Sequence, residues 1–254
     1  MEKLSTYLAK WKLRPKGGRR ITRRYSDQAG RPDSVGPVSE IEDLFWSNTG
    51  SIVHKWHHYL PIYDLYFKRF VGTPVKMLEI GVSKGGSLRL WRNYLGADAI
   101  IFGIDIDPGC AVYDGQDASV RIGSQADVEF LRRVVAEMGG VDLILDDGSH
   151  VGRHILASLD TLFPLLSENG LYMIEDLHTA YWRKYDGGRF SPNNFMKVVK
   201  QWVDDIHHWY HPHGQSIAAT AGKLGALHIY DSIVVLEKVT TKAPRHTRVG
   251  TAGA

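Results

Sequence analysis

Leu145-Asp146-Asp147-Gly148-Ser149-His150 and Ile174-Glu175-Asp176 are the two stretches that decide how this chain of 254 residues folds. Each one ends a short apolar run, over residues 141–145 and 170–174 respectively. Runs of that length between turn signals are typical of buried strands in a parallel sheet. Ligands of open α/β sheets bind in the crevice beyond the carboxyl ends of the strands. The two stretches therefore predict that four carboxylates and one imidazole converge on one crevice.

The sequence around these stretches alternates between strand and helix patterns from residue 75 onward. Helices are predicted between the first five strands, and a short turn at Asp231-Ser232 joins the last two strands into an antiparallel hairpin. The predicted strands cover Lys76–Val82, Ala99–Ile106, Val120–Ser124, Val141–Asp147, Gly170–Asp176, Ala226–Tyr230 and Ser232–Val239. Five parallel strands plus a hairpin, with helices on both faces, resemble the Rossmann-like α/β sheet of class I methyltransferases. A classical dinucleotide-binding fold would continue with a second βαβαβ half.

The chain is predicted to have three parts. Residues 1–40 form a basic N-terminal arm, residues 41–239 the methyltransferase domain and residues 240–254 a flexible tail. Residues 41–70 read as helical and aromatic-rich. A long insertion at 177–225, with a helix around Asn194–Tyr210, is either a substrate lid or an extra helix that covers the sheet or builds a dimer contact.

Positive charge is concentrated in the arm. Residues 1–36 hold ten Lys or Arg and three Asp or Glu, a balance of +7, which leaves −4 for the remainder because the chain totals +3. Such an arm is typically solvated and partly disordered, although it could bind anionic lipid, glycan or nucleic acid. Leu4, Tyr7, Leu8 and Trp11 have helical spacing, so a short amphipathic helix is predicted there.

Composition favours a cytoplasmic protein. No apolar run approaches the ~20 residues that span a bilayer, and the first residues lack the apolar core of a signal peptide. The single cysteine, Cys110, excludes an intrachain disulfide and a Cys-rich zinc site.

A glycine loop runs from Leu78 to Leu88, between the first strand and its helix. Glycines let the backbone approach a ligand, and a helix start offers free N–H groups. The spacing is neither G-x-G-x-x-G nor a phosphate loop. Glu79 would repel a pyrophosphate but tolerate an amino-acid-bearing ligand such as S-adenosylmethionine. Asp105, about 20 residues further on, is placed to accept both ribose hydroxyls. The alternative is a tight turn with a helix cap.

The acidic stretches predict a metal site. Asp147, Glu175 and Asp176 offer only oxygen ligands, which suit Mg²⁺. The metal would act as a Lewis acid on a substrate hydroxyl, and His150 could remove the hydroxyl proton as general base. Asp146 could face the methionyl part of the cofactor. The alternative is that these acids cap the next helix while His150 bonds to backbone.

A histidine cluster later in the chain allows a zinc hypothesis. His207 and His211 are four residues apart, with His208 and His213 beside them. Zinc would want third and fourth ligands that the local sequence does not plainly offer, so the end of an amphipathic helix is favoured.

Several motifs together resemble the metal-dependent sugar O-methyltransferases of macrolide biosynthesis, the mycinamicin and macrocin type. The resemblance covers about residues 52 to 239. It rests on Met77–Val82 with Gly85–Trp91, on Asp146–His150, on Ile174–Asp176 with Thr179–Trp182, and on Leu227–Lys238. The resemblance implies S-adenosylmethionine and Mg²⁺ as cofactors and a sugar hydroxyl as acceptor.

The resemblance also implies roles for individual residues. The metal ligands would be Asp147, Glu175 and Asp176, with His150 as the base. The residues bordering the cofactor would be Glu79, Gly81, Ser87, Asp105, Ser124, Gln125 and Asp146. Relatives often carry an Asp-Lys pair just before the His-x-Tyr helix, where this chain has Ser47-Asn48-Thr49-Gly50. Relatives also tend to have Gly-Asp-Gln where this chain has Gly123-Ser124-Gln125.

The sequence thus predicts Mg²⁺-assisted O-methylation of a hydroxyl on a sugar or glycosylated acceptor. Methylation of a non-sugar diol of the catechol type is the alternative. A nucleic-acid-binding module that uses the basic arm is disfavoured, since the core shows no clustered basic face. An NAD-dependent oxidoreductase is disfavoured by the glycine spacing. The partners expected are a small-molecule or glycan substrate, and a homo-oligomer is allowed.

Overall fold

A computed structural model of the protein describes residues 39–250, all within one compact unit, Pro37–Ala254. The predicted arm, apart from Ser39 and Glu40, and its amphipathic helix lie outside the described residues. No helix in the described part of the chain is long and apolar enough to cross a membrane. Residues 240–249 form neither helix nor strand.

The described residues contain a seven-stranded sheet in the order β3-β2-β1-β4-β5-β7-β6. The strands are β1 (Lys76–Ile80), β2 (Ile100–Asp105), β3 (Ser119–Ile122), β4 (Val141–Asp146), β5 (Leu166–Ile174), β6 (Leu224–Ile229) and β7 (Val234–Lys238). The first five are parallel, and β7 pairs antiparallel with both β5 and β6. All seven predicted strands and the terminal hairpin are therefore confirmed.

Helices cover both faces of the sheet. They are α1 (Glu40–Trp46), α2 (Leu60–Phe67), α3 (Gly86–Leu95), α4 (Val128–Met138), α5 (Gly152–Leu162) and α6 (Met196–Ile206). One core cluster contains buried side chains of the first three helices, and a second contains those of the last three. Each helix buries an apolar stripe against the strands, which accounts for its place.

Two helix predictions are wrong in detail. The link between β2 and β3 is a short 3-10 helix, Pro108–Tyr113, started by the Asp107 side chain, which accepts a hydrogen bond from the Gly109 N–H. The predicted helix over 41–70 is interrupted between α1 and α2. There the Asn48 side chain bonds to the Ser51 carbonyl and the Gly50 N–H, and such local bonds compete with helix.

The long insertion contains one α-helix and several short turns. Helix α6 buries Val199 and Trp202 in the core and covers the sheet. The segment 177–185 instead forms two 3-10 turns that follow Asp176 directly. The insertion thus contains a helix that covers the sheet, and a role as a substrate lid stays a prediction.

The strand order reverses between β1 and β4, because β2 and β3 lie on one side of β1 while β4 and β5 lie on the other. In parallel α/β sheets this switch point opens a crevice at the carboxyl ends of the strands. Asp146 ends β4, and Glu175 follows the end of β5. The fold therefore places both acidic stretches at the switch point, as predicted.

Candidate active site

A cavity of 430 Å³ opens at this edge of the sheet. Its walls come from residues 80–84, 104–106, 123–125 and 147–150, which follow four different strands. Lys55 and Asp176 also line it. The predicted cofactor loop and the acidic crevice therefore form one continuous space.

Gly81 joins the two halves of this space. Its φ is +99°, and a Cβ atom at this position would lie 2.2 Å from the Asp147 carbonyl oxygen. Only glycine permits such contact and such a backbone conformation. The glycines of this loop are predicted from the sequence to allow close approach of a ligand. At Gly81 the close neighbour is the backbone of the acidic stretch.

Asp105 lines the cavity and organises the glycine loop. Its Oδ2 accepts hydrogen bonds from the backbone N–H groups of Val82 and Ser83, each at 2.9 Å, and its Oδ1 accepts one from Asp107. Burial acts to raise the pKa of Asp105, but these backbone donors outweigh it and the pKa is lowered. A carboxylate oxygen can accept more than one hydrogen bond, so the group remains available to a diol.

Glu79 does not reach the cavity. Its carboxylate is fully buried and accepts hydrogen bonds from Ser87 Oγ at 2.8 Å and Trp91 Nε1 at 3.0 Å. Burial raises its pKa to about 7, although Lys55 and its hydrogen-bond donors lower it. Ser87 lines the cavity. Glu79 thus lies behind Ser87 and supports it, rather than facing the cavity as predicted.

Asp146 faces away from the cavity as well. It is 2% exposed, and its carboxylate accepts hydrogen bonds from Ser158 Oγ at 2.7 Å, Tyr172 Oη at 3.0 Å and Gln125 Nε2 at 3.1 Å. Burial is the main cause that raises its pKa. Gln125 also accepts a hydrogen bond from the Ser149 N–H at 2.7 Å, and it lines the cavity beside Ser124. The prediction that Asp146 faces the methionyl group differs from this geometry.

Asp147 points the other way, into the crevice. Its Oδ2 lies 2.5 Å from the ammonium nitrogen of Lys55, which also donates to Glu175 Oε2 at 2.9 Å. The Lys55 side chain is only 3% exposed. Burial acts to lower the pKa of Lys55, but Asp147, Glu175 and Glu79 outweigh it and raise the pKa well above its ordinary value. A charged ammonium therefore bridges two of the three predicted metal ligands.

Two tyrosines donate hydrogen bonds to the carboxylates of Glu175 and Asp176. Tyr63 donates to Glu175 Oε1 at 2.5 Å, and Tyr59 donates to Asp176 Oδ1 at 2.8 Å. Burial, followed by the nearby carboxylate, raises the pKa of each phenol, so both remain donors. Burial also raises the pKa of Glu175, while Lys55 opposes it. Both oxygens of Glu175 are thus engaged.

The His150 side chain lies next to the carboxylates of Asp147 and Asp176, on the side that is open to the crevice. Its Nε2 is 3.9 Å from Asp147 Oδ1 and 3.7 Å from Asp176 Oδ2. His150 and Asp176 both have positive φ, +56° and +55°, a conformation uncommon outside glycine. Strained backbone of this kind persists where the surroundings fix it, and it is enriched at functional sites.

The donor set suits a divalent cation. Ligand atoms of Asp147, His150 and Asp176 lie within 4.8 Å of one another, and this is the only group of at least three such residues found among residues 39–250. Oxygen-rich sites of this kind fit Mg²⁺. Glu175 lies outside this group, and its two oxygens are bonded to Lys55 and Tyr63. It would have to give up a partner before it could ligate a metal.

The start of the insertion is bonded to the backbone of both acidic loops. Thr179 Oγ1 donates to the carbonyl of Asp176 at 2.7 Å and lies 3.1 Å from that of His150, which ties the two acidic loops together. Aromatic rings continue from His150 through Tyr185, Trp182 and His178, at centroid separations of 6.1, 6.2 and 4.7 Å. Of these four rings, only that of His150 lines the cavity, and the other three continue from it along the start of the insertion.

Lys55, Tyr59 and Tyr63 were not predicted from the sequence as site residues. The two tyrosines are four residues apart, Tyr59 in the turn before α2 and Tyr63 within α2, so they share one helix face. That spacing was a usable signal. Lys55 has no comparable signal, because it meets Asp147 across 92 positions of sequence.

The histidine cluster does not assemble a metal site. His207 Nδ1 bonds to the Val203 carbonyl, His208 Nδ1 to that of Asp205 and His211 Nε2 to that of Asp204. These three imidazoles thus bond to backbone carbonyls in the last turn of α6. The favoured prediction, a helix end, agrees with this arrangement.

Comparisons with known proteins identify relatives of this chain. Residues 78–177 match the family model of a methyltransferase domain. The chain is 37% identical over 195 residues to 8-demethyl-8-(2-methoxy-alpha-L-rhamnosyl)-tetracenomycin-C 3'-O-methyltransferase of Streptomyces olivaceus, a match over 72% of this chain and 50% of that protein. It is 32% identical over 229 residues to demethylmacrocin O-methyltransferase of Streptomyces fradiae, over 84% and 57% respectively.

A similar solved structure is the MycE methyltransferase from the mycinamycin biosynthetic pathway, in complex with Mg and SAH. It superposes with a TM-score of 0.70 at 30% identity, over 80% of this chain and 54% of that one. The chain thus spans about half the length of the curated relatives it matches.

Proposed function

Because this chain belongs to the class I methyltransferases and is homologous to sugar O-methyltransferases, we propose that it transfers a methyl group from S-adenosylmethionine to a sugar hydroxyl, assisted by Mg²⁺. The acceptor would be a sugar or a glycosylated small molecule. The observation that carries the proposal is the continuous cavity that joins the Gly81 loop to the crevice of Asp147, His150 and Asp176.

The cofactor half of the cavity has the groups that S-adenosylmethionine needs. The cofactor would supply an electrophilic methyl group on its sulfonium. Asp105 would accept the ribose hydroxyls while its backbone bonds keep the glycine loop in place. Ser124 and Gln125 lie at the next strand end along the same wall. Gly81 and Ser87 would face the cofactor, with Glu79 and Asp146 in supporting positions.

The acidic half would prepare the acceptor. A bound Mg²⁺ would supply Lewis acidity toward the substrate hydroxyl. Asp147 and Asp176 would hold the cation with Oδ1 and Oδ2, the oxygens that face His150. Glu175, the third predicted ligand, would join them by releasing Lys55. His150 would accept the hydroxyl proton at Nε2, and the Thr179 contact to its carbonyl holds its backbone in place.

The rings at the start of the insertion favour a flat, partly apolar acceptor. Trp182 is half-buried, and Tyr185 lies between it and His150. An aromatic face can pack on a sugar ring or on a catechol, so geometry alone leaves both classes open. Homology to an enzyme named for O-methylation of a rhamnosyl compound favours the sugar.

The first experiment is calorimetric titration with S-adenosylmethionine, with and without Mg²⁺ and then with EDTA. Micromolar cofactor binding together with an EDTA-sensitive Mg²⁺ site is the expected result. Cofactor binding without a metal site would remove the role given to Asp147 and Asp176. Absence of cofactor binding would overturn the methyltransferase proposal and bring forward a binding module. Turnover of glycosides and of catechols, compared at equal concentration, then separates the two acceptor classes.

A cytoplasmic location and a homo-oligomer stay predictions. The same holds for the role of the basic arm. Deletion of residues 1–36 tests the nucleic-acid alternative, since binding to nucleic acid by the arm should be salt-dependent and should disappear with it.

A further inference from the structure

Lys55 is the unexpected member of the acidic crevice. Its ammonium group contacts Asp147 at 2.5 Å and Glu175 at 2.9 Å, and it lies 5.8 Å from the ring centroid of Tyr63. Among the described residues, no other Lys or Arg forms a salt bridge with Asp147, Glu175 or Asp176. A single positive charge is therefore enclosed where three carboxylates meet.

Lys55 contacts the carboxylates of Asp147 and Glu175 on the side opposite His150. It bonds Asp147 through Oδ2, whereas Oδ1 of the same carboxylate faces His150 and Asp176. It also donates a hydrogen bond to Oε2 of Glu175, whose Oε1 accepts a hydrogen bond from Tyr63. Lys55 and His150 thus lie next to different oxygens of the same Asp147 carboxylate.

We propose that Lys55 is a resident counter-ion of the acidic crevice, which keeps the carboxylates together without metal and weakens the binding of the divalent cation by competing for them. The proposal rests on the metal site of the proposed function. Lys55 acts in it as a positioning residue through Asp147 and Glu175.

Two effects of Lys55 on metal binding oppose each other. The ammonium holds the carboxylates close before the metal arrives, which favours binding. It also repels a dication that shares the Asp147 carboxylate, and like charges at such short range interact strongly even at an effective dielectric constant of about 20.

Repulsion outweighs positioning here, because neutral donors already hold the acids. Tyr63 fixes Glu175 and Tyr59 fixes Asp176. Removing the charge of Lys55 should therefore leave two of the carboxylates in place. It should also free one oxygen each on Asp147 and Glu175 for the cation.

The test is Lys55→Met, which keeps most of the side-chain length without the charge. Lys238→Met is the matched control. Lys238 is also buried, but it donates to the carbonyls of Pro164 and Leu166 at the opposite edge of the sheet. Mg²⁺ affinity is measured by calorimetry without S-adenosylmethionine, and thermal unfolding is followed in EDTA and in excess Mg²⁺.

Lys55→Met should bind Mg²⁺ about tenfold tighter or more than the wild type. Its melting temperature should fall in EDTA, since its carboxylates lose their cation, and should recover in Mg²⁺. Lys238→Met should leave the Mg²⁺ affinity unchanged. Unchanged or weaker Mg²⁺ binding by Lys55→Met would overturn the competition.

A second variant covers failure to fold. Lys55→Gln removes the charge and retains a hydrogen-bond donor. If either variant folds only when Mg²⁺ is supplied, the counter-ion role is supported. If neither folds with Mg²⁺ present, Lys55 has a role that a cation cannot replace, and the proposal is wrong. A wild type that binds no Mg²⁺ would instead refute the metal site of the proposed function.

Discussion

Asp146 and Asp147 are neighbours in sequence, yet they lie in opposite kinds of environment. Asp146 is enclosed by three neutral donors, from Gln125, Ser158 and Tyr172. Asp147 shares its carboxylate between Lys55 and the open crevice. A buried carboxylate with a full set of neutral donors is a structural group. One held by a cation, with oxygens left over, is available for chemistry.

The difference follows from the alternation of side chains at a strand end. Successive residues of a strand point to opposite faces of the sheet. Asp146 therefore points toward α5, where Ser158 lies, and Asp147 toward the segment before α2, which carries Lys55. Asp146 therefore supports the fold, and Asp147 belongs to the site.

The largest expected effect is on Asp147. Asp147→Asn should lower kcat/KM by about 10³-fold or more, because Lewis-acid assistance by a metal is worth several kcal/mol. Steady-state turnover checks this, with calorimetry to show that cofactor binding persists. Asp98→Asn, an exposed acid outside the site, is the control. Turnover near the wild-type value would contradict the assignment of Asp147 to the site and of Asp146 to the fold.

His150→Ala should have the next largest effect. A general base is typically worth about 10²–10⁴-fold, so kcat should fall by that factor while Mg²⁺ affinity stays within a few fold. The reason is that Asp147 and Asp176 keep their oxygens in place. A normal kcat would show that solvent or a carboxylate takes the proton. A loss of Mg²⁺ binding would instead make His150 a ligand.

Asp146→Asn tests the other side of the comparison. An amide in place of the carboxylate brings a donor to a position where three donors already point, which should cost about 1–3 kcal/mol of unfolding free energy. Urea denaturation measures that cost. The KM for S-adenosylmethionine should stay within a few fold, since the Asp146 side chain does not line the cavity. A tenfold rise in KM would restore the cofactor contact predicted from sequence.

Glu79 is an intermediate case, with neutral donors but near the charge of Lys55. Its pKa is raised to about 7, so the native state holds this proton more tightly than the unfolded chain. The free energy of unfolding should therefore fall by about 1–3 kcal/mol as pH rises from about 4.5 to about 7. In Glu79→Gln this loss should be absent. Denaturation of both proteins at about pH 5 and about pH 7.5 measures the difference, and parallel pH curves would contradict the assignment.

The sequence was sufficient for the sheet and for the edge at which the acids meet. Apolar runs such as 141–145 and 170–174 specify buried strands, and parallel strands bring their carboxyl ends together. The sequence did not predict contacts between side chains that are far apart along the chain. The orientations of Asp146 and Glu79 depend on donors such as Ser158 and Trp91, which become neighbours only once the helices pack.

Lys55 illustrates the limit most clearly. A lysine beside His54 and Trp56 reads as a surface residue, since lysines are rarely fully buried without a partner. Its partners are set by how the interrupted segment before α2 crosses the sheet edge. The resemblance directed attention to residues 47–50 for an Asp-Lys pair, whereas the lysine that enters the crevice follows at 55.

The contact at Gly81 has a consequence for how the site can vary. A single added methyl group there would collide with the Asp147 carbonyl, and a positive φ would add strain. The glycine loop and the loop that carries Asp147 therefore have a fixed separation. A substitution at residue 81 cannot widen it without disrupting both loops. A library that randomises this loop and selects for turnover should return glycine at this position, whatever acceptor is used for selection.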